Sequence, residues 1–257
     1  MKKNTYIVII TLITIVCVII GCFRFIFNVG MHFYDFYTNN TSEEYTSGAD
    51  ARNTEGLDAF TSIRVDVDVL DVTVVAGDSY SISYACDKDL VPTYEVKDGT
   101  LQVTQNGDDW SPLSFGNDDC EATITVPKDA AIETIDITSD VGDTEISGLT
   151  ISDIIITADV GDVSLQNVTM KTGNIELDTG DAELDHCSFE NLTVSTDVGD
   201  VDVDSTEDLS DYAMDLSTDV GDVEINGRNQ GQDYSTSGNG SKQLTVDNST
   251  GDVEISY

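Results

Sequence analysis

From Ala59 onward, apolar and polar residues alternate along the chain. "FTSIRVDVDVLDVTVVAGDSYSISYA" has the strict two-residue period of strands with one buried face. "LVPTYEVKDGTLQVTQ" predicts two further strands around an Asp98-Gly99 turn, and "CEATITVP" another that ends at Pro127. Between them, residues 106–119 read as a loop holding the single tryptophan, Trp110, which is expected to plug an open end of the fold or to stand exposed as a contact residue.

Beyond Pro127 the alternation becomes a repeat. Gly142, Gly161, Gly180, Gly199, Gly221 and Gly251 are spaced by 19, 19, 19, 22 and 30 residues. Ile137, Ile156, Ile175, Val194, Leu216 and Val246 form an apolar column before each glycine. Ile146, Leu165, Leu184, Val203, Ile225 and Ile255 form one after it. A third column runs Val163, Ala182, Val201, Val223 and Val253, with Thr144 as its first member. A fixed period near 20 with β-type alternation predicts a solenoid, each coil burying its apolar face only against its neighbours. Six coils stacked about 4.8 Å apart would extend roughly 29 Å. All three prolines precede residue 128, as a ladder that needs every strand N–H requires. The longer intervals place polar insertions at 205–211 and 227–242, extruded from the coil.

Each glycine sits in a phrase of the type Asp-Val-Gly-Asp. One reading is a corner, with glycine supplying the positive φ of a type II turn and the first Asp accepting a backbone N–H. The other is calcium. Stacking would align Asp140, Asp159, Asp178, Asp197 and Asp219 in one ladder. A second would hold Asp143, Asp162, Asp181, Asp200, Asp222 and Asp252. Carboxylates about 4.8 Å apart repel by roughly 1 kcal/mol in water, which a bound divalent ion would relieve. Here Asp follows Gly directly, unlike the calcium-binding nonapeptide, so no cofactor is expected beyond calcium at these corners.

Charge changes the picture next. The 257 residues include 49 acidic and 11 basic side chains, a net charge of −38. Such a surface excludes nucleic acid as a partner and attracts cations and cationic peptides. The 39% hydrophobic content, in register, argues against disorder. Lys2 and Lys3 precede an uncharged run from Tyr6 to Phe23, long enough to span a bilayer, and the lysines orient the rest of the chain outward. Two membrane attachments fit: an uncleaved signal anchor, or a lipoprotein acylated at Cys22 after "VIIGC". With Lys2, Lys3 and Arg24 assigned to this N-terminal segment, the rest of the chain carries 8 basic and 49 acidic residues, a net charge of −41.

Cys86 and Cys120 are a possible exported disulfide, and Cys187 reads as a small core residue. With no CxxC and with His32 and His186 far apart, a zinc site finds little support. The carboxylate pairs all sit at repeated corners, and His186 beside Cys187 reads as an outward polar residue next to a core one. No enzymatic site is expected.

"SIRVDVDVLDVTVVAGDSYSISY", then "ATITVPKDAAIETIDITSDVGDTEISGL", then tandem "GDVxI" coils, resemble the bacterial "putative adhesin" domain of unknown function over about residues 57–257. The resemblance implies a β-solenoid ectodomain at the cell surface. Members are often membrane-anchored, and some are linked to Lia-type envelope-stress systems. It supplies no catalytic residues. "DVGD" stands where many members have a Ser-Gly-Asp phrase, which makes these corners unusually acidic.

The expectation is thus an all-β protein: a parallel β-solenoid with coils of about 19 residues and an N-terminal β-rich capping region, preceded by one transmembrane helix. Residues 1–29 would be the cytoplasmic tip and anchor, 30–58 a stalk, 59–127 the N-terminal part of the solenoid and 128–257 the repeat coils. The function expected is a non-enzymatic, adhesin-like module at the cell envelope, or an acidic envelope-stress protein capturing cationic peptides or divalent cations. Partners would be the membrane and an envelope component. The coil ending at Tyr257 has no evident cap, so it would either self-associate end to end or be covered by the 227–242 insertion.

Overall fold

Strands whose side chains alternate in and out bury their inner face by stacking, and that stack is the architecture found. A computed structural model describes residues 51–88, 90–105 and 120–257. The chain divides into two units, Met1–Ser47 and Gly48–Tyr257, and the described residues all belong to the second. The expected membrane segment, most of the expected stalk, and Trp110 lie outside the described residues. Among the described residues, no helix is long and apolar enough to cross a membrane.

Two sheets of 11 and 10 strands face each other, and each turn of the chain gives one strand to each. We call such a pair a rung and number the rungs along the stack. Rung one is Thr100–Gln105 with Glu121–Pro127, and rung two is Ser62–Val69 with Asp71–Gly77. Rung three is Ile132–Val141 with Thr144–Ser147, and rung four is Thr150–Val160 with Val163–Gln166. Rung five is Thr169–Thr179 with Ala182–Cys187, and rung six is Asn191–Val198 with Val201–Ser205. Rung seven is Gln243–Thr250 with Val253–Ser256, and rung eight is Ala213–Val220 with Val223–Ile225. All rung-to-rung pairings are parallel.

The order of the rungs corrects the sequence reading. The coil ending at Tyr257 is not the end of the stack. It is inserted between rungs six and eight: Val246 pairs with Val194 on one side and Leu216 on the other, and Ile255 with Val203 and Ile225. The far end is closed by the insertion, whose strands Arg228–Gly231 and Asp233–Ser237 run antiparallel to rung eight. The cap expected from 227–242 therefore exists but covers a different coil, and an exposed edge at Ile255 has no place.

The near end repeats this device. Residues 62–77 form rung two, held between rung one and rung three. Thr93–Lys97 and Ser81–Cys86 lie antiparallel on rung one, and Ala51–Gly56 lies antiparallel on Ser81–Cys86. Residues 51–56, expected in the stalk, are thus an edge strand. It needs no alternating apolar face, because it is held by backbone pairing and by polar contacts, Asn53 Nδ2 donating to the Tyr94 hydroxyl at 2.9 Å and that hydroxyl donating to Glu55 Oε2 at 2.7 Å. The region expected to cap the solenoid supplies two of its rungs.

Inside, the predicted columns are continuous. Val103, Val65, Ile137, Ile156, Ile175, Val194, Val246 and Leu216 stack in one row, all buried. Ile146, Leu165, Leu184, Val203, Ile255 and Ile225 form the facing row. The 205–211 insertion is not extruded. Leu209 is fully buried, and the Tyr212 hydroxyl donates to Phe189 O at 2.5 Å. This segment carries the chain past the level that rung seven fills, which explains the longer interval. Cys86 and Cys120 are joined, tying a cap strand to rung one across 34 residues. Closing a loop of that length contributes about 3–4 kcal/mol.

Candidate functional site

Each rung turns from one sheet to the other at the repeated acidic phrase. The glycine φ values there run from 142 to 158°, well away from the +80° of a type II turn, which corrects the predicted turn type. The glycine answers to close approach. A Cβ on Gly161 would lie 2.0 Å from Gly142 O, and one on Gly180 would lie 1.9 Å from Gly161 O. The glycine N–H groups continue the ladder, as in Gly161 N to Thr179 O at 3.0 Å.

The Asp after each glycine is structural. Asp162 N donates to Asp143 Oδ1 at 2.8 Å, Asp181 N to Asp162 Oδ1 at 2.8 Å and Asp200 N to Asp181 Oδ1 at 2.7 Å. Asp252 N donates to Asp200 Oδ1 at 2.8 Å and Asp222 N to Asp252 Oδ1 at 2.9 Å. Asp71 opens the row by accepting from Asp143 N at 2.9 Å. Every carboxylate of the row up to Asp252 thus supplies the acceptor that the next corner N–H lacks, at the cost of lining up like charges; Asp222, at the end, only donates. Burial raises the Asp162 carboxyl above its usual range, and the Asp143 charge adds to this while the Asp181 N–H opposes it.

The other acidic row, Asp140, Asp159, Asp178, Asp197 and Asp219, is exposed, with Ser249 interrupting it at rung seven. Partial desolvation raises the Asp140 carboxyl, followed by the charges of Asp68, Asp159 and Asp66. Between the two acidic rows stand Val141, Val160, Val198 and Val220, 43 to 63% exposed, with Thr179 and Thr250 filling the row. The result is a continuous rim with an apolar crest and carboxylates on both flanks.

The opposite corner was not recognised from sequence. Gly148, Asn167 and His186, 19 residues apart, all have positive φ, at 70, 54 and 53°. At His186 the pairing of rungs five and six shifts register between Leu184 and Cys187. His186 Nδ1 lies 2.5 Å from Asp185 Oδ1 and 3.2 Å from Asp204 Oδ2. The hydrogen bond to Asp185 chiefly raises the imidazole pKa, with the charges of Asp185 and Asp204 behind it. Burial first, then Glu254 and Glu183, raises neighbouring Asp202. Cys187 is buried as expected, its thiol pushed up to about 11, which makes it unreactive.

These shifts fix the sign of the pH dependence. Asp140, Asp162, Asp202 and His186 are raised in the fold, so their stabilising contribution is present below their unfolded pKa values and is lost as pH rises through the folded ones. Glu207, bonded to Lys242, and Asp208, an N-cap bonded to Ser210, are lowered and run the other way, losing their contribution as pH falls. Near neutrality only the raised imidazole of His186 acts, so Tm at low salt is expected to climb as pH falls from about pH 8 to about pH 6, and the raised carboxylates add to this only nearer the ordinary carboxylate range. A flat or falling Tm over that range contradicts this balance.

The family described as Toastrack DUF4097 matches residues 60–208 and 190–256. Among solved structures, a "putative cell adhesion protein" from Clostridium sporogenes is similar at 16% identity with a TM-score of 0.52, over 80% of this chain and 98% of that one. A "putative adhesin" from Bacteroides fragilis is similar at 14% identity with a TM-score of 0.44, over 80% of this chain and 96% of that one. At 16% identity the likeness to the first of these is one of fold alone. No curated protein matches the chain.

Proposed function

The chain belongs to the Toastrack DUF4097 family, and on that premise we propose a non-enzymatic, adhesin-like binding module displayed outside a bacterial cell membrane. Residues 1–29 anchor it, or an acylated Cys22 does, and the segment up to the first described strand serves as a spacer. The Cys86–Cys120 disulfide supports an oxidising compartment.

The observation that carries the reading is the rim: exposed valines at 141, 160, 198 and 220 between two parallel rows of aspartates. A rigid line of negative charge with an apolar crest complements an extended, polycationic, partly apolar ligand. Cationic envelope-active peptides have that chemistry, and the net charge of −41 on the part beyond the anchor draws them in.

The test is anisotropy of a labelled Lys/Leu peptide with the full-length protein. Replacing Asp140, Asp159, Asp178, Asp197 and Asp219 together by Asn spares the row that bonds the backbone. It should weaken binding by at least about tenfold and flatten the salt dependence. Equal affinity for the two proteins, or binding indifferent to salt, would refute the assignment.

A further inference from the structure

We propose that Asp185, His186 and Asp204 form a site for one Zn²⁺ ion, at the corner opposite the rim and independent of its function. One ligand atom from each lies within 4.8 Å of the other two. Asp185 and His186 come from rung five, and Asp204 comes from rung six, 19 residues after Asp185. The register shift sets two residues of one strand against one of the next, which brings both carboxylates to the same imidazole nitrogen.

The spacing fits the ion. Ligands about 2.0–2.1 Å from a tetrahedral zinc stand roughly 3.3 Å from each other. The Asp204 Oδ2 to His186 Nδ1 distance of 3.2 Å already meets this, and the 2.5 Å contact to Asp185 has only to open by a small side-chain rotation. A cation then takes the place between nitrogen and oxygens that a shared proton otherwise holds.

A partner outside the triad orients one ligand. Ser256, from rung seven, donates its hydroxyl to Asp204 Oδ1 at 3.0 Å, leaving Oδ2 for His186 or the ion. Outer contacts of this kind hold metal ligands in place. Glu183, Asp202 and Glu254 are consecutive in the same sheet and add negative potential beside the triad. The imidazole selects zinc-type ions over calcium, which takes oxygen ligands. With His186 62% exposed, water completes the coordination.

The test is calorimetric titration of chelator-treated full-length protein with ZnCl₂, with CaCl₂ as comparison. One Zn²⁺ per chain is expected, with no matching calcium isotherm. His186→Asn keeps the backbone, because Asn167 and Asn226 adopt φ of 54 and 49° at like corners. It should weaken zinc binding by at least about tenfold, and so should Asp204→Asn. Cobalt(II) should give visible absorption bands that both substitutions abolish. No zinc binding by the unaltered protein, affinity unchanged in both variants, or zinc binding lost on neutralising the rim instead would overturn the site.

Discussion

Deleting residues 243–257 is expected to unfold far more than the segment removed. Those residues are rung seven, with neighbours on both sides. Their loss leaves rungs six and eight facing a gap one strand wide. Leu244, Val246, Val253 and Ile255 are all buried, and at about 1.5–3 kcal/mol each their burial accounts for roughly 6–12 kcal/mol. That is comparable to the whole stability of an ordinary domain, about 5–15 kcal/mol. Amide exchange should show Ala213–Val220 losing protection together with the strands that cap it, while Thr150–Val160 keeps more. A solenoid stacked in sequence order would lose one terminal coil and leave 213–220 protected, so persistent protection there would disprove the order of rungs.

The second large effect is expected from Gly180→Ala. The new Cβ would sit 1.9 Å from Gly161 O, a backbone atom that cannot swing away, at a φ of 152°. Backbone strain and overpacking together cost on the order of 2–6 kcal/mol. Gly56→Ala is the control: no atom lies within 4 Å of its added Cβ, so its effect should stay within about 0.5 kcal/mol. Urea unfolding midpoints measure both. A Gly180→Ala midpoint equal to that of the unaltered protein would show that the corners do not constrain the glycine.

The interior rows and the glycine corners were legible because each is a short-range pattern repeated at one period. Ile156, Ile175 and Val194 stack as their spacing predicts. The rung order was not legible, because a parallel ladder has the same register whichever coil lies beside it. Val194 lies on Val246, and Leu216 would fit the same place in the row. Leu209 was the available signal, an apolar residue in a segment read as extruded. The level of rung two within the solenoid was illegible for another reason: its corner reads Val69-Leu70-Asp71, without the glycine that marks the later corners, although Gly142 packs against Leu70 O. The Asp185–His186–Asp204 group also needs the stack, since its members meet only when one coil lies on the next.

Placing the segments 62–77 and 243–256 one level in from the two faces of the stack changes how the molecule would come apart. A coil at the tip of a tower can be peeled off alone, and the tower then unravels turn by turn. Here a tug on either segment must shear two seams at once. A pulling load is therefore met by a high barrier rather than a graded retreat, and the fold outlasts brief loads that would strip an ordinary spiral from its tip.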